Sequence, residues 1–226
     1  MRGLTAALFL VTEKGGAPLA LRDYYQGMNF RHALLAPLAF ALFALPAQAE
    51  KISLADLSAY LNKLTTVQAD FSQVNADGTI STGIIKIRRP GRVRFEYAPP
   101  DDSLVMAGGG QVAVFDAKSN QPPEQYPLSR TPLGLILAEN VDLGRANMVV
   151  GHTESENTTR VMAQDPEHPE YGSIELVFTA NPTELRQWII TDDSGSQTTV
   201  ILGELTKGVT FPPSTFNIVT EMEKRK

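Results

Sequence analysis

Two hydrophobic periods divide the chain. Leu54, Leu57, Leu61 and Leu64 recur at the spacing of one helical face, with Tyr60 on its flank and Asp56, Asn62 and Lys63 on the polar side. Ser53, followed three residues later by Asp56, predicts the N-cap of a helix over 53–64. After Thr66 the period falls to two. Val67, Ala69 and Phe71 alternate with Gln68, Asp70 and Ser72, which predicts a strand with one apolar face. Short strands continue from there, punctuated by turns at Asn75–Gly78, Arg89–Arg92, Gly108–Gly110, Asn181-Pro182 and Asp192–Gly195. Expected strands include Ser103–Ala107, Gln111–Asp116, Ser173–Thr179, Gln187–Thr191 and Thr198–Leu202, a pattern that marks an antiparallel barrel or sandwich. One segment breaks it. Thr131 to Glu139, TPLGLILAE, reads as a short apolar helix with Thr131 as cap and Pro132 at the first helical position. Such a helix either plugs a barrel end or lids an apolar interior.

The stretch GIIKIRRPGRVRFEY, residues 83–97, concentrates five basic residues between Lys86 and Arg94. Alternation separates them. Val93, Phe95 and Tyr97 share one face, which leaves Arg92, Arg94 and Glu96 on a polar, solvated one. Before the turn, Ile85 and Ile87 share a face with Arg89, opposite Ile84, Lys86 and Arg88. Arg89 thus ends an apolar row, where a long side chain can reach the rim of a cavity and bond carbonyls or a ligand headgroup. Pro90-Gly91 suits a type II turn, with Gly91 at positive φ.

The N-terminus carries a different pattern. From Met28 a short segment with Arg31 precedes the apolar run Ala33–Leu45, then Ala47-Gln48-Ala49. That is a signal peptide over 28–49 with cleavage before Glu50, and the run is too short for a comfortable membrane span of roughly 20 residues. Residues 1–27 precede a complete signal and read as an upstream start, leaving 50–226 as one exported domain. A net charge of −5 argues against nucleic acid. Without cysteine the chain has no disulfide, thiolate metal site or lipid attachment point. His32, His152 and His168 lack ligand spacing, so no metal is expected, and no nucleotide or cofactor motif occurs. An exported hydrolase is disfavoured by the lack of a GxSxG motif. The Asp101-Asp102 and Asp192-Asp193 pairs read as loop acids.

QADFSQ (68–73), IKIRRPGRVRFEY (85–97), TPLGLIL (131–137), LRQWIITDDSGSQTTVIL (185–202) and FPPSTFNI (211–218) occur in an order that resembles the periplasmic outer-membrane lipoprotein carrier family, LolA. The resemblance implies a mainly β fold with a few helices. That fold is an incomplete, strongly curved antiparallel barrel, with an N-terminal helix and short lid helices over an apolar cavity. Leu57, Leu61, Val67, Phe71, Ile85, Ile87, Val93, Phe95 and Tyr97 would line the cavity. Thr131, Pro132, Leu133, Leu135, Ile136 and Leu137 would form the lid, and Arg89, in the family's RP motif, would latch it. The implied function is a periplasmic, monomeric, non-enzymatic carrier of triacylated lipoproteins from an inner-membrane ABC transporter to an outer-membrane receptor. A lipid-binding or lipid-sensing domain of the same fold is the alternative. The receptor itself would need a lipidated cysteine. The run Gln164–Tyr171, QDPEHPEY, departs from the family pattern and reads as a loop. Terminal sequencing of the exported protein is expected to start at Glu50; residues before Ala47 on that protein would exclude this cleavage.

Overall fold

The computed structural model describes residues 51–119, 121–145 and 147–225. The expected signal peptide at 28–49, the extension at 1–27 and the mature terminus at Glu50 lie outside the described residues. Helix α1 (Leu54–Lys63) begins as the sequence predicts. The Ser53 hydroxyl oxygen accepts the Asp56 amide at 3.1 Å and donates to the Asp56 carboxylate at 2.6 Å, which fixes the first turn. Leu57 and Leu61 then face inward and are buried. Among the described residues no helix is long and apolar enough to cross a membrane.

The strands are β1 (Thr66–Val74), β2 (Ile80–Arg88), β3 (Arg92–Tyr97), β4 (Leu104–Gly108), β5 (Gln111–Phe115), β6 (Glu124–Pro127), β7 (Val149–Ser155), β8 (Thr158–Gln164), β9 (Ser173–Thr179), β10 (Glu184–Thr191), β11 (Gln197–Leu202) and β12 (Thr206–Lys207). All pair antiparallel in one sheet, in the order β6-β5-β4-β3-β2-β1-β11-β10-β9-β8-β7, with β12 on the start of β1. The sheet does not close, since β6 and β7 stand at its two ends. Two meanders, β1–β6 and β7–β11, therefore join side by side through the β1–β11 seam. The chain between the free ends, 128–148, carries a 3₁₀ turn (Leu128–Arg130) and helix α2 (Leu133–Leu137).

Register fixes the inner face. Val67 pairs with Ile87 and Ala69 with Ile85 across β1–β2, and Ile85 with Phe95 and Ile87 with Val93 across β2–β3. The alternating apolar residues therefore stack in rows on one side. Gly83 lies between Phe71 and Tyr97 in such a row, and their rings meet edge-on at 5.2 Å. A side chain there would run into the Glu96 carbonyl and the Phe71 ring. At the β2–β3 turn Gly91 takes φ 69, as expected, and the Arg89–Pro90 peptide is cis.

The outer face of β3 to β5 departs from expectation. Helix α3 (Ile218–Lys224) packs there, capped by the Asn217 side chain, which accepts the Thr220 amide at 3.0 Å. Leu104, Met106, Ala113 and Phe115 form a second apolar cluster with Ile218 and Met222. Strands β4 and β5 are apolar on both faces for this reason. Arg94 does point outward, but α3 covers it, and its side chain is only 12% exposed. It pairs with Glu96 at 2.7 Å and Glu221 at 3.1 Å and donates to the Thr215 carbonyl, while Lys86 holds Glu96 and Arg225 holds Glu221. The solvated face predicted for Arg94 is thus a bound one; Arg92 stays partly exposed.

Burial alone would raise the Glu221 carboxyl, but hydrogen bonds from Arg225 and Arg94, with their charges, outweigh it and hold it below the ordinary glutamate range. Lys86 and Arg94 do the same for Glu96 against its burial. A carboxylate with a depressed folded pKa contributes stability that is present above its unfolded value of about 4.3 and lost as pH falls through its folded value. The urea midpoint is therefore expected to drop between about pH 5 and pH 3. Glu221→Gln should flatten that drop while lowering stability at pH 7 by about 1–3 kcal/mol. An unchanged pH profile in Glu221→Gln would separate the ion pairs from the packing of α3.

Candidate functional site

The rows from β1, β2 and β3 converge beneath α1 and α2. Leu57, Leu61, Phe71, Ile85, Val93 and Phe95 belong to one continuous buried cluster with Leu133, Ile136 and Leu137 of α2, and Ile87, Tyr97 and Leu135 pack against it partly exposed. Val67 is buried at the same end. Trp188, from β10, joins from the opposite meander and is 1% exposed. Edge-to-face rings run Trp188–Phe95–Phe71–Tyr97 at centroid separations of 6.3, 5.4 and 5.2 Å. Burial pushes the Tyr97 phenol up to about 12, against its hydrogen bond to Gln73, so it is neutral here. Between α2, the sheet and Arg89 the side chains leave a space of about 30 Å³, room for one or two waters.

Helix α2 is shorter than the helix the sequence predicts over 131–139. Thr131 does not cap it: the Thr131 hydroxyl donates to the Leu128 carbonyl at 2.8 Å, closing the preceding 3₁₀ turn, and Pro132 stands at the N-cap instead. Five residues cannot hold a helix by their own hydrogen bonds. Leu133, Ile136 and Leu137 hold it by burial, and its far end is tied down from outside.

Arg89 supplies that tie. One Nη donates to the Leu61 carbonyl in the last turn of α1; the other donates to the Ala138 carbonyl at 2.6 Å, directly after α2, and to Asn62 Oδ1 at 3.1 Å. The neighbouring Gly91 amide bonds the Leu137 carbonyl at 2.8 Å. Both helices thus aim the negative ends of their dipoles at one cation. All three acceptors are neutral, and burial pulls the guanidinium below its ordinary value.

Asn62, read from the sequence only as part of a polar helical face, completes the clamp. Its Oδ1 accepts from Arg89 and from the Val141 amide at 2.9 Å, and its Nδ2 donates to the Val141 carbonyl at 2.9 Å and to Asn140 at 3.2 Å. Every hydrogen-bonding position of the amide is used. Ser58, one turn earlier on α1, accepts the Leu143 amide at 3.0 Å. Two donors are left over: Arg89 Nε and Trp188 Nε1 are buried without a protein acceptor among the described residues. Each such orphan costs about 1–3 kcal/mol.

An open antiparallel sheet, an apolar interior and a short helix tied across it by Arg89 make up the candidate site. The family model described as outer membrane lipoprotein carrier protein LolA matches residues 62–219, and the chain belongs to that family. An outer-membrane lipoprotein carrier protein of Methylococcus capsulatus is 26% identical over 195 residues, covering 83% of this chain and 92% of its own. That of Azotobacter vinelandii is 31% identical over 134 residues, covering 56% and 63%. Among solved structures, a LolA superfamily protein of Nitrosomonas europaea aligns with a TM-score of 0.42 and 10% identity over 74% of this chain and 98% of its own.

Asn62→Ala removes three hydrogen bonds between α1 and residues 140–141 and the bond accepted from Arg89. Amide exchange at 133–143 is expected to speed up about tenfold or more, while the β1–β2 amides stay protected. Asn62→Asp, which keeps the acceptor for Arg89 and Val141, should show a smaller rise. Equal protection of 133–143 in wild type and Asn62→Ala would remove Asn62 from the clamp.

Proposed function

We propose that the chain is a soluble periplasmic carrier that shields the acyl chains of lipoproteins between an inner-membrane ABC transporter and an outer-membrane receptor. The observation that carries this reading is the Arg89 guanidinium, bonded to the carbonyl ends of both α1 and α2 over a large cluster of buried apolar side chains. The names of the relatives supply the cargo class. Burying each CH₂ group is favourable by roughly 0.8 kcal/mol, so several chains could offset both their withdrawal from a bilayer and the opening of the lid. Arg89 sets the balance the other way. Its bond to the Ala138 carbonyl exists only with the lid down, so it favours the empty state and hence release. Loading then needs energy from the transporter, whereas unloading runs with the closing of the latch.

On this reading Arg89 acts as a release element. Hydrogen bonds to a charged group are worth about 1.5–3 kcal/mol, which sets the size of the bias toward closure. Arg89→Leu should therefore hold cargo more tightly and pass it poorly to the receptor. Lysine, lacking the planar fork, should rescue only part of this. Arg92→Leu, on the outer face, should transfer cargo like wild type. The measurement is transfer of bound lipoprotein from each purified variant to the receptor. Normal transfer by Arg89→Leu, or an equal defect in Arg92→Leu, would reject the latch.

A further inference from the structure

We propose that the outer side of α2 floors a docking groove for a basic, apolar segment of a partner protein, and that filling this groove promotes cargo release. The proposal rests on the carrier reading above and adds a means of regulating it. A cleft of about 530 Å³ runs along α2, within the roughly 300–1,000 Å³ of ordinary ligand sites. Gly134 and Leu135 line it, on the side of the helix opposite the buried Leu133, Ile136 and Leu137. The β2–β3 turn supplies Pro90 and Gly91, and the segment between β8 and β9 supplies Asp165 and Tyr171. That segment includes QDPEHPEY, the run that departs from the family pattern, and its own bonds fix its shape. Asp165 Oδ1 accepts the Glu167 amide at 2.9 Å and the His168 amide at 3.3 Å. A 3₁₀ turn (Pro169–Tyr171) follows, and the Tyr171 ring stacks on His168 with centroids 4.7 Å apart.

The lining selects the occupant. Pro132, Leu135 and Tyr171 give it an apolar surface. Its two charged residues, Glu139 and Asp165, are both acids, and neither forms an ion pair among the described residues. An anionic bilayer or an acidic segment would be repelled there. A lysine or arginine beside an apolar side chain matches both features, and a protein segment carries the two a residue apart. Position gives the groove its effect. Leu137 and Ala138 line it, and their carbonyls also hold α2 to the β2–β3 turn, through the Gly91 amide at 2.8 Å and the Arg89 side chain at 2.6 Å. A segment lying across them touches α2 and the turn together, so it binds best while the two are joined. By linkage it favours the closed, empty state.

The test uses fluorescein-labelled Lys-Leu-Leu-Lys, with Glu-Leu-Leu-Glu and Lys-Gly-Gly-Lys as controls and a diacylglyceryl lipopeptide as cargo. By anisotropy at about 0.15 M salt, the first peptide should bind about tenfold tighter than either control. Glu139→Gln and Asp165→Asn should each weaken it about threefold, and the second variant keeps the Oδ1 that shapes the segment. Saturating peptide should lower the affinity for lipopeptide about fivefold, and lipopeptide should lower that for the peptide by the same factor. Amides at 134–138 should exchange more slowly with peptide bound. Equal binding of the three peptides, or unchanged binding in both carboxylate variants, would overturn the groove. Peptide binding that leaves lipopeptide affinity unchanged would overturn its effect on release. Failure of the lipopeptide itself to bind, with peptide binding intact, would overturn the carrier reading and leave the docking groove standing.

Discussion

The Arg89 guanidinium meets no carboxylate; it is held by the carbonyl ends of two helices and one asparagine, and the closed form of the molecule follows from that arrangement. Helix α2 has five residues and cannot persist alone. It is a helix because its apolar side is buried and because its last carbonyls face donors that the β2–β3 turn presents, the Gly91 amide and the Arg89 side chain. A carboxylate in place of those carbonyls would bind the cation more firmly and would itself need burial. Neutral carbonyl dipoles hold the cation without bringing a second charge into the interior.

The turn that presents Arg89 is braced from both faces of the sheet. Inside, Ile85, Ile87, Val93 and Phe95 pack into the main core or against it. Outside, Lys86, Arg94 and Glu96 connect β2 and β3 to Glu221 and Arg225 of the C-terminal segment, above the cluster of Met106, Phe115 and Ile218. The second meander has no such outer cover in the described residues, and Val150, Met162 and Ile201 are left exposed there. The two halves of the sheet are thus built differently: one carries Arg89 on a two-sided support, and the other contributes wall.

Alternation made the first three strands legible, and with them the inward direction of Arg89, since nothing in Thr66–Tyr97 interrupts the period of two. The rest was hidden for identifiable reasons. A bulge between Leu185 and Gln187 brings Leu185 and Trp188 to one face at a spacing of three, which a regular strand forbids, so Trp188 did not register as interior. The β7–β8 hairpin turns through Glu156 and Asn157, both at positive φ, without the glycine that usually marks such a turn. Asn62 sits on a polar helical face, and its partner Val141 lies 79 residues away, beyond the reach of any local pattern. Arg94 followed the alternation correctly, but nothing in the strand itself announces that a helix more than a hundred residues later will cover it. The apolar residues on both faces of β4, Leu104 and Met106 against Val105 and Ala107, were the available sign.

The sheet ends at β6 and β7 without joining them. A closed barrel has a circumference fixed by strand number and stagger, so its bore cannot change unless ladder hydrogen bonds break. An open sheet can flatten or curl through small changes of twist at each pair while every ladder stays intact. The segment 128–148, which carries the lid, is also the strap between the two free ends. A change in the curl of the sheet would therefore move α2 with it.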